Sequence, residues 1–232
     1  MRKILVGFLG VACLLPTAAL ADRSGPYISG HFGLSMPEKT TSEFNSPGLP
    51  GGVGFINSDA DVGHRFGGAL GWTFNRYLSA EVELSYAKHD IDTLNAFVFP
   101  GVWTGPLAAR GDATSLSGMV NGYLSYPMQG FRPYVGAGIG MTRVDSNHVG
   151  IIGVANETND HDSAFSWQLM AGAGFKLSPD LELGARYRFL HVNDMVMYAT
   201  NGDQQRIHDS QAHSVELVLT WSLHRDPPRT MK

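Results

Sequence analysis

The sequence has little cysteine and little charge. Its 232 residues include one cysteine, and Asp, Glu, Lys and Arg make up only 16% of them, against roughly 25% in average soluble domains. A single thiol excludes the disulfide framework that stabilises many small exported domains. The formal net charge of −4 excludes the basic surface of a nucleic-acid-binding protein.

Long apolar runs are absent beyond the N-terminus. No stretch after the first 21 residues reaches the ~18 consecutive apolar residues of a membrane helix, which excludes a helical membrane bundle. The N-terminus itself has the three parts of a secretory signal: basic Arg2 and Lys3, an apolar run from Ile4 to Leu15, and the small-residue site Ala19-Leu20-Ala21. We predict that residues 1–21 are a cleaved signal peptide.

Cleavage after Ala21 would also remove Cys13, the single cysteine. The alternative is that Cys13 carries a lipid anchor. It lies in the middle of the apolar run, ahead of a better cleavage site, so cleavage is the preferred interpretation. The exported chain would then contain no cysteine.

Alternation of apolar with small or polar residues is abundant. From Leu78 to Ala87 every second residue is apolar and the others are Ser, Glu or Ala. This period of two indicates a β-strand, because a helix would mix the two sets on every face. Eight such segments lie near residues 28–34, 66–74, 78–87, 115–126, 135–142, 165–175, 181–189 and 214–223.

The connections between these segments alternate in length. Tight turns lie near residues 75–77, 127–130 and 178–180, whereas the other connections are long and span about 35–61, 88–113, 145–162 and 191–211. Short turns on one side and long loops on the other are typical of outer-membrane barrels. We therefore predict an all-β fold, an eight-stranded antiparallel up-and-down transmembrane β-barrel with four long outer loops and short periplasmic turns.

The predicted barrel domain spans residues 22–223, and residues 224–232 form a polar C-terminal tail. A secreted soluble β-sandwich would show the same alternation with its charges in solvent, and it stays open as an alternative. Leucine and aromatic residues on one face, with glycine on the other, favour the barrel. Glycine accounts for 28 residues, and inward glycines relieve crowding in a narrow lumen.

The polar face predicts a charged barrel interior with four residues of each sign. These are Arg65, Glu81, Glu83, Lys176, Glu182, Arg186, Arg188 and Glu216. Enclosed ions are costly unless they are paired, so we interpret this cluster as a structural plug rather than a conduction path. A small channel is the alternative.

Several short glycine-rich segments resemble a known family. They are Pro26 to Gly30, Arg132 to Gly140, Ala171 to Leu183 and Tyr187-Arg188-Phe189, which are similar to segments of the small outer-membrane β-barrel proteins, a group that includes opacity proteins, OmpX-like barrels and rickettsial-type surface antigens. The resemblance implies residence in the outer membrane of a Gram-negative bacterium and a role in surface interaction or envelope integrity. Contacts with outer-membrane lipid, lipopolysaccharide and the assembly machinery would follow. Members of this family typically end on a strand-terminal aromatic residue, whereas here Trp221-Ser222-Leu223 is followed by the polar tail.

The long connections are acidic and carry apolar patches. They hold 14 of the 21 acidic residues and four of the basic ones, an acidic surface that suits divalent cations or basic partners. Phe97, Phe99 and Trp103 form one apolar patch, and Ile151 and Ile152 belong to another. Either these patches bind a host or neighbouring cell surface, or they extend the strands above the membrane and pack on one another.

We predict no catalytic residues, no cofactor and no metal site. The segment Asn159 to Asp162 offers donors for a hard cation but lacks the ligand spacing of a dedicated site. His208-Asp209-Ser210 resembles the His-x-Ser pair of barrel lipid A deacylases, which keeps a lipid-modifying enzyme as an alternative. A closed barrel has no free edge, so a monomer is expected.

Overall fold

The computed structural model describes residues 24–45, 53–98, 102–151, 157–199, 202 and 204–223. Residues 1–21, predicted as a signal peptide, and the tail 224–232 lie outside them. In order along the chain, the twelve strands are β1 (Gly25–Pro37), β2 (Thr40–Asn45), β3 (Val53–Ala60), β4 (Gly63–Thr73), β5 (Leu78–Val98), β6 (Val102–Ser125), β7 (Phe131–Ile151), β8 (Glu157–Lys176), β9 (Leu181–Val192), β10 (Met195–Tyr198), β11 (Gln204–Ile207) and β12 (Ser210–Ser222). None of the described residues forms a helix long and apolar enough to cross a membrane.

Eight of these strands close into an antiparallel barrel, which confirms the predicted fold. The barrel follows the order β1, β4, β5, β6, β7, β8, β9 and β12, and β1 pairs with both β4 and β12. The closing seam runs from the pair Tyr27 and Ser222 to the pair Pro37 and Ala212. Every barrel strand therefore has two neighbours, and the backbone polar groups are paired around the whole ring.

Three tight turns join the strands at the periplasmic end, where the sequence predicted them. They lie between β4 and β5, β6 and β7, and β8 and β9. In the second turn Gly130 has a φ of 77°, a left-handed conformation that glycine adopts without steric cost.

The barrel is apolar outside and polar inside, as the period of two predicts. Leu70 is 70% exposed and Val82 is 64% exposed, whereas Glu83 and Arg188 are 1% and 0% exposed. A soluble sandwich buries its apolar face and exposes its charges. The reverse arrangement here excludes the sandwich and fits a barrel surrounded by lipid.

The connections expected to be long loops are largely strand. β5 and β6 contain 21 and 24 residues, about twice the ~9–11 residues that a strand needs to cross a membrane. β2 and β3 lie in the first long connection and β10 and β11 in the last. They pair in the order β10, β11, β2, β3 and β5. We call β2, β3, β10 and β11, with the outer parts of β5–β8, the outer sheet.

Pairing explains why these segments are ordered. A strand that leaves the membrane keeps its backbone N–H and C=O groups satisfied as long as a neighbouring strand continues beside it. The Thr158–Ala199 bridge adds a link between β8 and the end of β10. The outer sheet therefore continues the barrel wall rather than forming separate irregular loops.

We predict that the closing seam is sensitive to an added methyl group at Gly33. An alanine Cβ there would lie 2.0 Å from the Val215 carbonyl oxygen and 2.6 Å from the Glu216 Cα, so the β1 and β12 backbones would have to move apart. Gly33→Ala is expected to lower the free energy of unfolding by about 1–3 kcal/mol. Urea titration of the barrel in lipid, followed by the gel shift between folded and unfolded forms, measures this.

Gly118→Ala is the matched control, because no atom lies within 4 Å of a Cβ at that position on the outer face. Its urea midpoint should stay close to that of the wild type. Equal midpoints for Gly33→Ala and Gly118→Ala would contradict the prediction.

Candidate functional site

Four ionised side chains meet in the middle of the barrel. Arg188 contacts Glu83 at 2.5 Å through Nη1 and 3.0 Å through Nη2, and its Nε lies 2.9 Å from Glu216 Oε1. Arg186 donates to Glu216 from Nε at 2.8 Å, and its Nη1 lies 3.7 Å from Glu83. All four residues are at most 4% exposed. Each carboxylate thus faces two guanidinium groups.

Neutral side chains complete the coordination of these charges. Asn121 donates to both Glu81 and Glu83, at 3.2 and 3.1 Å. Gln168 accepts a bond from Arg188 Nη1 at 2.7 Å and donates to Asn121 at 2.7 Å. We call the set Glu81, Glu83, Asn121, Gln168, Arg186, Arg188 and Glu216 the lumen plug.

Tyrosine side chains close the plug on its periplasmic side. The Tyr27 hydroxyl donates to Glu81 at 3.0 Å, and the Tyr123 hydroxyl donates to the same carboxylate at 2.7 Å. Tyr134 packs edge-on against Tyr123, with ring centroids 5.6 Å apart. The sequence predicted no role in the interior for these tyrosines, although Tyr134 has the same parity as the inward glycines of β7.

The periplasmic mouth holds a separate ion pair. Arg132 donates to Glu182 from Nη2 at 2.8 Å, and both side chains are partly exposed. Lys176 was expected in the charged interior, but it is exposed. Lys176 and Glu182 are paired only through the strand backbones of β8 and β9, and at the end of β8 the Lys176 side chain is open to water. The partner of Glu182 is Arg132, which was not among the predicted interior charges.

Arg65 lies on the outer side of the plug. It is 1% exposed, and its Nη1 donates to the Ser85 hydroxyl at 3.0 Å. Among the described residues no carboxylate lies within 4.0 Å of its guanidinium, and its Nε is buried without a hydrogen-bond partner. Of the eight predicted interior charges, the structure brings together Glu81, Glu83, Arg186, Arg188 and Glu216, and it leaves Arg65, Glu182 and Lys176 outside that group.

The geometry of the lumen plug bears on whether an ion can pass through the lumen. Burying an ion costs several kcal/mol, and this cost is offset only by good geometry and additional hydrogen bonds. The bonds of Arg188 to Glu83 and of Arg186 Nε to Glu216 meet both conditions. Arg186 Nη2 and Arg188 Nε lie 2.6 and 2.9 Å from Glu216 as ion pairs without hydrogen-bond geometry. An ion that entered would have to displace a member of this network.

The outer sheet brings two of the predicted apolar patch residues together. Phe97 pairs with Trp103 across β5 and β6, and it pairs with Phe55 across β5 and β3. Directly opposed positions lie on one face of a sheet. Ile151 pairs with Ala109, across β7 and β6, while Phe99 and Ile152 lie outside the described residues.

Two acidic residues of the outer sheet hold backbone groups rather than a cation. Asp160 Oδ2 accepts from the Tyr198 N–H and Asp162 Oδ2 accepts from the Val196 N–H, both at 2.8 Å. The bonds that Asp160 accepts from the Tyr198 and His161 N–H groups lower its pKa. In the described part of the chain, no group of three His, Cys, Asp or Glu side chains is placed to hold a metal ion.

The histidine of the His208-Asp209-Ser210 triplet faces carboxylates. Its Nε2 lies 3.4 Å from Glu43, and its Nδ1 lies 3.7 Å from Asp194. Ser210 begins β12, where it pairs with Val192 of β9. Both ring nitrogens of His208 are thus directed at acidic groups.

Comparison with known proteins gives one family and a set of similar folds. A family model described as "Outer membrane protein beta-barrel domain" matches residues 5–221. An uncharacterized protein of Brucella abortus (strain 2308) is 26% identical over 218 residues, which cover 83% of this chain and 76% of the relative. The barrel is similar to OprG from Pseudomonas aeruginosa, with a TM-score of 0.60, 15% identity and coverage of 86% of this chain and 97% of that one.

A second similar structure is the outer membrane protease OmpT from Escherichia coli. Its TM-score is 0.51 at 10% identity, and the match covers 85% of this chain and 97% of OmpT. At these identities the likeness to OprG and OmpT shows the fold alone.

We predict that Arg188 is the most sensitive charge of the plug. Arg188→Ala leaves the buried Glu83 and Glu216 with Arg186 as their remaining guanidinium partner. The loss is expected to lower the free energy of unfolding by about 3–5 kcal/mol. Urea titration in lipid measures the loss.

The control is Arg143→Ala, which removes an arginine bound to Asp145 on an exposed part of β7. Because solvent screens such a pair, the urea midpoint should barely move. A similar shift for both variants would mean that the plug does not contribute to stability.

Proposed function

This chain belongs to the outer membrane protein β-barrel domain family, and from that premise we propose that it recognises another cell or surface through its outer sheet. Its membership confirms the resemblance noted in the sequence and its location in the outer membrane of a Gram-negative bacterium. The barrel then serves as the anchor, and the outer sheet is the part available to partners outside the cell.

The main support for this proposal is the length of the paired strands β5 and β6 beyond the membrane. On β5 the exposed apolar belt extends over Leu78, Val82 and Leu84, and the strand then continues to Val98. The 14 residues from Ser85 to Val98 correspond to about 46 Å of extended chain at ~3.3 Å per residue. A membrane anchor alone has no need for so long a paired ribbon.

Three aromatic residues occupy paired positions near the outer ends of β3, β5 and β6. Phe55, Phe97 and Trp103 stand in register across β3, β5 and β6. Aromatic residues contribute much of the binding energy in protein interfaces. We infer that this row is the anchor of the recognition surface, with Phe99 beside it in the sequence.

The acidic surroundings favour a partner with positive charge. The long connections hold 14 acidic and four basic residues, and complementary charge accelerates encounter and selects among partners. Two of the carboxylates, Asp160 and Asp162, hold the outer sheet together. Others contact histidine side chains, among them Glu38 with His213 and Glu43 with His208. The acidic excess of these connections still shapes the electrostatic field.

We infer a role without catalysis and a monomeric barrel. The engagement of His208 by Glu43 and Asp194 argues against its use as a base for Ser210. The likeness to OmpT extends to the fold and carries no activity with it. The β1–β12 pairing leaves no barrel edge that requires a second subunit.

A triple variant, Phe55→Ser, Phe97→Ser and Trp103→Ser, tests the recognition surface. Bacteria that display it should adhere to a cultured epithelial layer at least tenfold less than bacteria that display the wild type, because the aromatic contact area is removed. Counting adherent bacteria at equal surface expression gives the result.

Tyr198→Ser is the matched control, since Tyr198 is an exposed aromatic residue on β10, away from the aromatic row. It should leave adhesion unchanged. Unchanged adhesion of the triple variant, together with a lower urea midpoint, would mean that the row only packs and would overturn the proposal.

A further inference from the structure

A cavity of about 170 Å³ lies on the outer side of the lumen plug, between the barrel wall and the outer sheet. Its lining is mostly apolar and includes Ile91, Val144, Leu190, Val192, Met195 and Ile207. Leu190, Val192 and Met195 belong to one buried cluster, with Val144 and Ile207 packed against it. The interior therefore changes from charged to apolar above the plug.

The lining of this cavity includes one guanidinium and one imidazole side chain. Arg65 and His89 both contribute to it, and Arg65 Nε and His89 Nε2 are buried without hydrogen-bond partners in the described part of the chain. The Glu83 and Glu216 carboxylates are occupied by Arg186 and Arg188. Arg65 is thus a buried cation whose direct contacts include a hydroxyl but no described carboxylate.

The acidic residue of the described lining does not neutralise Arg65. Glu38 lines the cavity, but its carboxylate lies 2.7 Å from His213 Nε2 on the outer face of the barrel. A buried cation without a direct counter-ion is costly. An anion that entered the cavity would lower this cost.

We propose that the cavity binds a small amphipathic carboxylate, with its apolar body against Leu190, Val192 and Met195 and its carboxylate directed at Arg65. Guanidinium groups match the planar geometry of carboxylates. The cavity volume of about 170 Å³ is below the ~300–1,000 Å³ of pockets for drug-sized ligands, so the ligand is small. This site is separate from the aromatic row of the outer sheet.

Phenylacetate is a suitable probe, because it joins one carboxylate to one small apolar ring. Isothermal titration of the full barrel in lipid nanodiscs should show saturable binding to the wild type. Phenylacetamide, which has the same ring and no charge, should bind at least tenfold more weakly. Acetate, which has the charge and no ring, should also bind at least tenfold more weakly.

Two variants separate the charge from the cavity. Arg65→Gln removes the cation and keeps a donor for Ser85, and Ala113→Phe adds a ring to the lining and keeps the arginine. Each should weaken phenylacetate binding at least tenfold. Leu116→Phe introduces the same side chain at an exposed position of β6 and should bind like the wild type.

No saturable binding of phenylacetate to the wild type would overturn the proposal. Equal affinity for phenylacetate and phenylacetamide would show a neutral apolar site and would overturn it as well. Binding that Ala113→Phe leaves unchanged would place the ligand elsewhere, with the same consequence. If Arg65→Gln does not fold, the acid and amide comparison on the wild type decides the role of charge.

Discussion

Neutralisation of charge inside a narrow barrel is the constraint on which the rest of the structure depends. Eight strands enclose a lumen just wide enough to be filled by side chains. Here the filling is ionic, and Glu83, Arg186, Arg188 and Glu216 satisfy one another within it. Space for these long side chains comes from glycines, since a Cβ at Gly138 would lie 2.0 Å from Asn121 Oδ1.

The same arrangement divides the molecule into three levels. The plug fills the middle, the Arg132–Glu182 pair lies at the periplasmic mouth, and an apolar cavity lies on the outer side. Above the membrane the strands continue as the outer sheet. Within it, the carboxylates of Asp160 and Asp162 on β8 accept hydrogen bonds from backbone N–H groups of β10. Passage through the middle level and contact at the outer level therefore depend on different sets of residues.

The sequence predicts the barrel well because a period of two determines both the strand and its inward face. Glu83 and Arg188 have the inward parity and are buried where that parity places them. Lys176 also has the inward parity, but it is the last residue of β8. Parity predicts which face of the wall a side chain occupies and not how far along the barrel axis it lies. The exposure of Lys176 and the pairing of Arg132 with Glu182 depend on that depth.

The outer sheet was harder to predict than the barrel. Val53–Ala60 has three polar residues in a row, and Gln204–Ile207 has three polar residues out of four, so neither shows a clear alternation. They become strands because neighbours in space supply hydrogen-bond partners. The register that aligns Phe55, Phe97 and Trp103 comes from pairing between segments distant in the sequence. The cavity beside Arg65 likewise depends on residues from several strands.

The conductance of the wild-type barrel in a planar lipid bilayer tests the central claim most directly. If the plug closes the lumen, the reconstituted barrel produces no stable current steps in concentrated salt, while a large porin inserted in the same bilayer does. Regular ohmic steps from the wild-type barrel would contradict this account, because ions could then pass the Glu83–Arg188–Glu216 network without displacing it.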